Sequence, residues 1–151
     1  MIYVTAFFIV SYIIVVIIMN EVILTINLIN SILEDIILED NISYLGSNTK
    51  DIFSVYSSDF CDIMMHYYPG ATVMIDNNLR KCGIMINGVV YDSYGISNKS
   101  YHVANEEEIN YIRKAMPKLS IYVVSKIYNH INSTNKKDNA YSLRKDSYDL
   151  T

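Results

Sequence analysis

Cys82-Gly83-Ile84-Met85-Ile86-Asn87-Gly88-Val89-Val90-Tyr91 sets two apolar runs on either side of an Asn-Gly pair. A two-residue type I′ turn needs positive φ at both central positions, which Asn and Gly adopt at little cost, so the stretch reads as a β-hairpin. Working outward, Ala71-Thr72-Val73-Met74-Ile75 reads as a preceding strand, with a turn at Asp76-Asn77-Asn78 between them. Ahead of that strand, Ser57 or Ser58 can cap a helix that runs through Cys61, Ile63, Met64 and Tyr67 and stops before Pro69-Gly70. Tyr44-Leu45-Gly46-Ser47-Asn48-Thr49 reads as a loop.

On the other side of the hairpin, Asn105-Glu106-Glu107-Glu108 opens a helix with a capping box and three acids at the positive end of its dipole. Arg113 and Lys114 complete that helix and Pro117 ends it. Ile121, Val124, Ile127 and Ile131 fit a further helix from about Ser120. Beyond Asn132 the chain is polar and without period, which predicts a mobile tail over 133–151. Helices combined with an antiparallel hairpin give an α+β domain over residues 50–132.

The N-terminal forty residues have a different character. Ile2 to Met19 is an 18-residue run without a formal charge, and Ile, Val or Phe fill twelve of its positions. As a helix it measures about 27 Å at roughly 1.5 Å per residue, close to the ~30 Å hydrocarbon layer of a bilayer. No basic residue precedes it and no small-x-small cleavage site follows it before Asn20-Glu21, which argues against a secretory signal. We therefore expect a single-pass membrane anchor over 1–20, of open orientation because no Lys or Arg lies near it. The competing readings are a helix buried in a soluble core, or a start at Met19 that removes the run. From 21 to 40, Val22, Ile26, Ile29, Leu33 and Ile36 form the stripe of an amphipathic helix, with Asn27, Asn30, Ser31, Glu34 and Asp35 between them. The acidic end of that helix opposes its dipole and calls for fraying or for basic neighbours.

Composition narrows the function classes. In 151 residues, 51% are apolar and 19% charged, so the chain can bury a core. The net charge is −4, and only Lys50 and Arg80 are basic before Lys81, so a nucleic-acid role has little support. Two cysteines, Cys61 and Cys82, exclude a disulfide scaffold and a four-thiolate zinc site, although one disulfide between them is conceivable, and neither a metal nor another cofactor is expected. Sequons at Asn41, Asn98 and Asn132 would matter only in a secretory lumen. The pairs Lys136-Lys137 and Arg144-Lys145 read as solvated charge. An Ile-, Asn- and Tyr-rich chain without Trp suits an AT-rich genome, such as that of a large DNA virus.

The helix ending in Tyr67-Tyr68-Pro69-Gly70-Ala71, the strand after it and the run from Cys82 to Gly95 resemble the helix and hairpin of small papain-like and transglutaminase-like cysteine hydrolases, over about residues 55–95. The resemblance implies a nucleophilic Cys at the helix start, a His on the strand before the turn and a polar orienting residue after it, the helix dipole and imidazolium together lowering the thiol pKa. In this chain the helix start carries Ser57 or Ser58, with Cys61 further inside; the His position holds Lys81 or Cys82; and Asp92 matches the third position. His66 and His102 are the remaining imidazoles that could serve as base. The expectation is a membrane-anchored, non-enzymatic binding or structural protein on a degenerate papain-like fold, with a protein partner. The alternative is a tethered thiol hydrolase of an amide or thioester, using Cys61 or Cys82 with His66 or His102 and Asp92.

Overall fold

A computed structural model describes residues 2–44 and 48–148, with side chains as far as Thr134. The stretch from Ile2 to Asp40 is one unbroken helix, α1, of 39 residues, so the anchor and the amphipathic segment are two halves of a single rod about 58 Å long. Nothing in it breaks the run, since the sequence from Ile2 to Asp40 holds no Pro or Gly. The helix ends with Asn41 in the left-handed region at φ 51, where Asn is tolerated. Of the loop read at 44–49, residues 45–47 lie outside the described residues.

Two helices follow, α2 (Thr49–Val55) and α3 (Ser57–Tyr67). Asn48 caps α2, its side chain accepting from the Asp51 N–H at 3.0 Å. For α3, the caps expected at Ser57 or Ser58 are corrected: Tyr56 holds the cap position without a side-chain bond, and both serines lie inside the helix. Their hydroxyls are used elsewhere, as described below.

The sheet has five antiparallel strands, β1 (Thr72–Asp76), β2 (Cys82–Ile86), β3 (Val89–Asp92), β4 (Gly95–Ile96) and β5 (Tyr101–Val103), in the order β4-β3-β2-β1-β5. The hairpin forms where the sequence places it: Ile86 pairs with Val89 around Asn87 and Gly88, whose φ values of 50 and 81 are those of a type I′ turn. A side chain at Gly83 would meet the Tyr91 carbonyl oxygen at 3.0 Å and the Tyr101 ring at 3.3 Å, so a larger residue at this position on β2 would require its neighbours to shift. Beyond β5, Asn105 and Glu108 close a reciprocal capping box on α4 (Glu106–Lys114). Helix α5 begins at Ile121 and runs to Tyr148, so residues 133–148 of the stretch read as a mobile tail are helical, and 149–151 lie outside the described residues. No Pro or Gly occurs after Pro117 to stop it, and lack of amphipathic period does not by itself unwind a helix.

The core closes around the second half of α1. Val22, Ile26, Ile29, Leu33 and Ile36 are fully buried, together with Phe53 of α2, Phe60 and Met64 of α3, Ile84 and Tyr91 of the sheet, and Ile127 of α5. Lys126 of α5 binds the Asp40 carboxylate at 2.7 Å, and Tyr122 bonds to it at 3.2 Å. The acidic end of α1 thus finds its basic neighbour within the chain. Before Ile18 the picture reverses: among residues 2–17 none is buried, and Phe7, Phe8, Tyr3 and Tyr12 are each at least 65% exposed. The soluble-core-helix alternative does not describe this half of α1.

Candidate functional site

The polar side chains of the sheet gather where the start of α3 meets the start of β2 and the end of β3. Ser57 and Cys61 are one turn apart on α3 and share the face turned to β2. The Ser57 Oγ accepts from the Cys82 backbone N–H at 3.0 Å and lies 3.5 Å from the Cys82 Sγ. Lys81, just before β2, donates from Nζ to the Ser54 Oγ at 2.6 Å. Asp92, at the end of β3, accepts from the Tyr94 N–H at 2.9 Å and closes a tight turn. Ser57, Lys81, Cys82 and Asp92 line one cavity with Ser54 and Tyr101, and its open space is only about 10 Å³, the room of a single water.

The electrostatics of this cluster are those of thiols bonded to each other. Cys61 donates its S–H to Cys82 and is fully buried, and both effects hold its pKa well above the ordinary thiol value. Cys82 is pulled the other way by its hydrogen bonds with Cys61 and Ser57, against its own burial. Both cysteines are free thiols. Burial and the carboxylates of Asp92 and Asp76 push the Tyr101 hydroxyl upward, so it remains a neutral donor.

The two candidate imidazoles, His66 and His102, are engaged elsewhere. His66, on α3, stands edge-on to Tyr67 and Tyr128, the latter ring at 5.5 Å. His102 lies on β5, opposite Ile75, with Nε2 2.7 Å from Glu108 and Nδ1 2.9 Å from Asn77. The structure therefore brings Cys61, Cys82 and Asp92 into one neighbourhood and fixes His66 and His102 through other partners. Among the described residues, no group of three or more His, Cys, Asp or Glu side chains stands close enough to hold a metal.

A second polar seam lies beside the first. Lys118 donates to the Ser58 Oγ at 2.8 Å and to the Ile112 carbonyl at 3.1 Å, while Asp59 accepts the Leu119 N–H at 2.7 Å. These bonds satisfy the Ile112 carbonyl near the end of α4 and the Leu119 N–H ahead of α5, and tie both to side chains in the first turn of α3. Sequence reasoning passed over Ser54, Lys81 as a serine partner, Lys118 and Tyr101. Only Tyr101 carried a cue, since a bulky ring over a strand glycine is visible once the register is known. No family model, no curated protein and no solved structure matches the chain.

Proposed function

We propose that the chain is a single-pass membrane protein whose α+β domain is held at the bilayer by the first half of α1 and serves as a non-enzymatic binding or structural module. One observation carries the anchoring: a helix apolar on every face from Ile2 to Ile18 leaves the domain with none of its first 16 described side chains buried. Such a helix in water would expose far more contiguous apolar surface than the few hundred Å² usual for a monomer. Lipid is the medium that removes that cost, because beyond the first turn the backbone groups of the helix are already bonded within it.

The non-enzymatic reading is supported by the closed cavity and by the thiol pair. A space of one water admits no amide or thioester substrate, and Cys61, protonated and bonded to Cys82, supplies no thiolate. The degenerate papain-like reading of residues 55–95 is kept as part of this proposal. It is supported by the meeting of Ser57, Cys82 and Asp92, the three positions at which the resemblance places nucleophile, base and orienting group.

Flotation with phosphatidylcholine vesicles tests the anchor: full-length protein should rise with lipid, and a chain starting at Met19 should stay at the bottom. Equal behaviour of the two forms overturns it. Alkylation tests the rest. Cys61 and Cys82 should react with iodoacetamide at pH 6 only after unfolding, and rapid modification of either in the folded protein would restore the hydrolase.

A further inference from the structure

We infer that one end of the domain, built from the α3–β1 connection and the β2–β3 turn, rests in the headgroup layer of the same bilayer. The inference depends on the anchoring reading above. Its geometry starts from the Thr25 Oγ1 of α1, which is hydrogen-bonded to the Tyr68 hydroxyl at 3.0 Å. Thr25 is five residues beyond Asn20, the first strongly polar position after the apolar run, which is about 8 Å along the axis at roughly 1.5 Å per residue. The headgroup layer is about 5 to 8 Å deep on each side of the hydrocarbon. Tyr68 therefore stands at the height of that layer.

The strand directions set what lies beside it. α1 passes Tyr68 with Thr25 and then Ser93, after the end of β3, with Asn30, whose amide reaches the Ser93 carbonyl at 3.4 Å. The far end of the sheet, with Ser93, thus points away from the apolar half of α1, and the Asn87-Gly88 turn points toward it. Tyr67, Tyr68, Pro69, Gly70, Ile86 and Asn87 line one concavity of about 340 Å³ at this near end.

Charge is distributed to match. Residues 67–72 and 85–89, which make the near end, contain no Asp, Glu, Lys or Arg. Lys50, Asp76, Arg80, Lys81 and Asp92 all belong to the far end, around the β1–β2 turn and the start of α2. Three acids do lie toward the near end: β5 runs to Val103 beside Met74, and the start of α4 follows it, at the edge of the sheet opposite β4, against which α1 packs. A surface that presents tyrosines suits the level of lipid headgroups, where an aromatic ring meets hydrocarbon and its hydroxyl meets water. Its occupant is the phospholipid interface itself, continuous with the hydrocarbon taken by the apolar half of α1.

The chain has no Trp, so one introduced Trp is an unambiguous reporter. Gly70→Trp is tolerated by geometry, because a Cβ there meets nothing within 4 Å and the backbone does not need positive φ. Pro69→Trp, exposed on the same connection, is a second reporter; Asn78→Trp marks the far end and Phe8→Trp the anchor. Full-length variants are placed in phosphatidylcholine vesicles containing lipid brominated close to the headgroup. The expected result is blue-shifted, quenched emission from Gly70→Trp, Pro69→Trp and Phe8→Trp, with Asn78→Trp unshifted and unquenched. If Phe8→Trp is quenched while the two loop reporters match Asn78→Trp, the seat is wrong and the anchor stands. If Phe8→Trp is unquenched, anchor and seat fall together.

Discussion

Both halves of α1 contain many Ile and Val, yet Ile29, Leu33 and Ile36 are completely buried while Phe7 and Tyr12 are about 70% exposed. The difference lies in what separates the apolar residues. Between Val22 and Ile36, Asn27, Asn30, Ser31, Glu34 and Asp35 interrupt them, and the stripe of Val22, Ile26, Ile29, Leu33 and Ile36 is covered by one domain, with Leu24 and Leu28 left outside it. Between Ile2 and Ile18 they point in every direction, and covering them takes a surround, not a face. One helix thus carries two patterns, and the change comes at Met19-Asn20-Glu21.

The comparison breaks most sharply through charge in the first half. Val10→Arg with Ile13→Arg should disfavour insertion by about 6 kcal/mol, taking roughly 3 for each Arg near the centre of a span, and should abolish flotation while leaving the melting of the domain in place. Next is the second half: Ile29→Ala removes a fully buried side chain and should cost about 2 to 5 kcal/mol in chemical denaturation with no change in lipid partition. If either substitution produces the other's effect, the halves are not separable. A smaller effect is expected at Gly88→Ala, where φ of 81 penalises a side chain by about 1 kcal/mol, read as a lowered unfolding midpoint.

The smallest effect concerns the seam that joins the end of α1 to α5. The hydrogen bond from Lys126 holds the Asp40 carboxyl below its ordinary value of 3.8. A depressed folded pKa gives a stabilisation that is complete above that ordinary value and is lost as pH falls through the folded one. Asp40→Asn should therefore lower the midpoint slightly at pH 7, less in high salt, and match the parent protein in strong acid. A difference that grows toward acid would have the wrong sign.

How much of this was legible depends on the range of the signal. The stripe of α1, the Asn87-Gly88 turn and the Asn105–Glu108 capping box are each written within a few neighbouring residues, and each is where the pattern puts it. β4 and β5 have two and three residues, too few for alternation to show, and they exist because β3 and β1 offer edges to pair with. α2 was missed although Asn48 and Asp51 stood at cap spacing, because the Gly, Ser and Thr around them dominated the reading. Of the candidate site, the types were legible and the contacts were not. Cys61 and Cys82 are 21 positions apart and meet only through the packing of α3 on β2, while His102 is committed to Glu108 and Asn77 by a strand the sequence does not announce.

Backbone amide exchange, followed residue by residue in phosphatidylcholine vesicles and then in the protein started at Met19, tests the division of α1 most directly. The account predicts amides 4–17 protected over hours in vesicles, and amides 26–36 protected with or without the bilayer. Rapid exchange of 4–17 in vesicles, or loss of protection at 26–36 once the first half is gone, would contradict it.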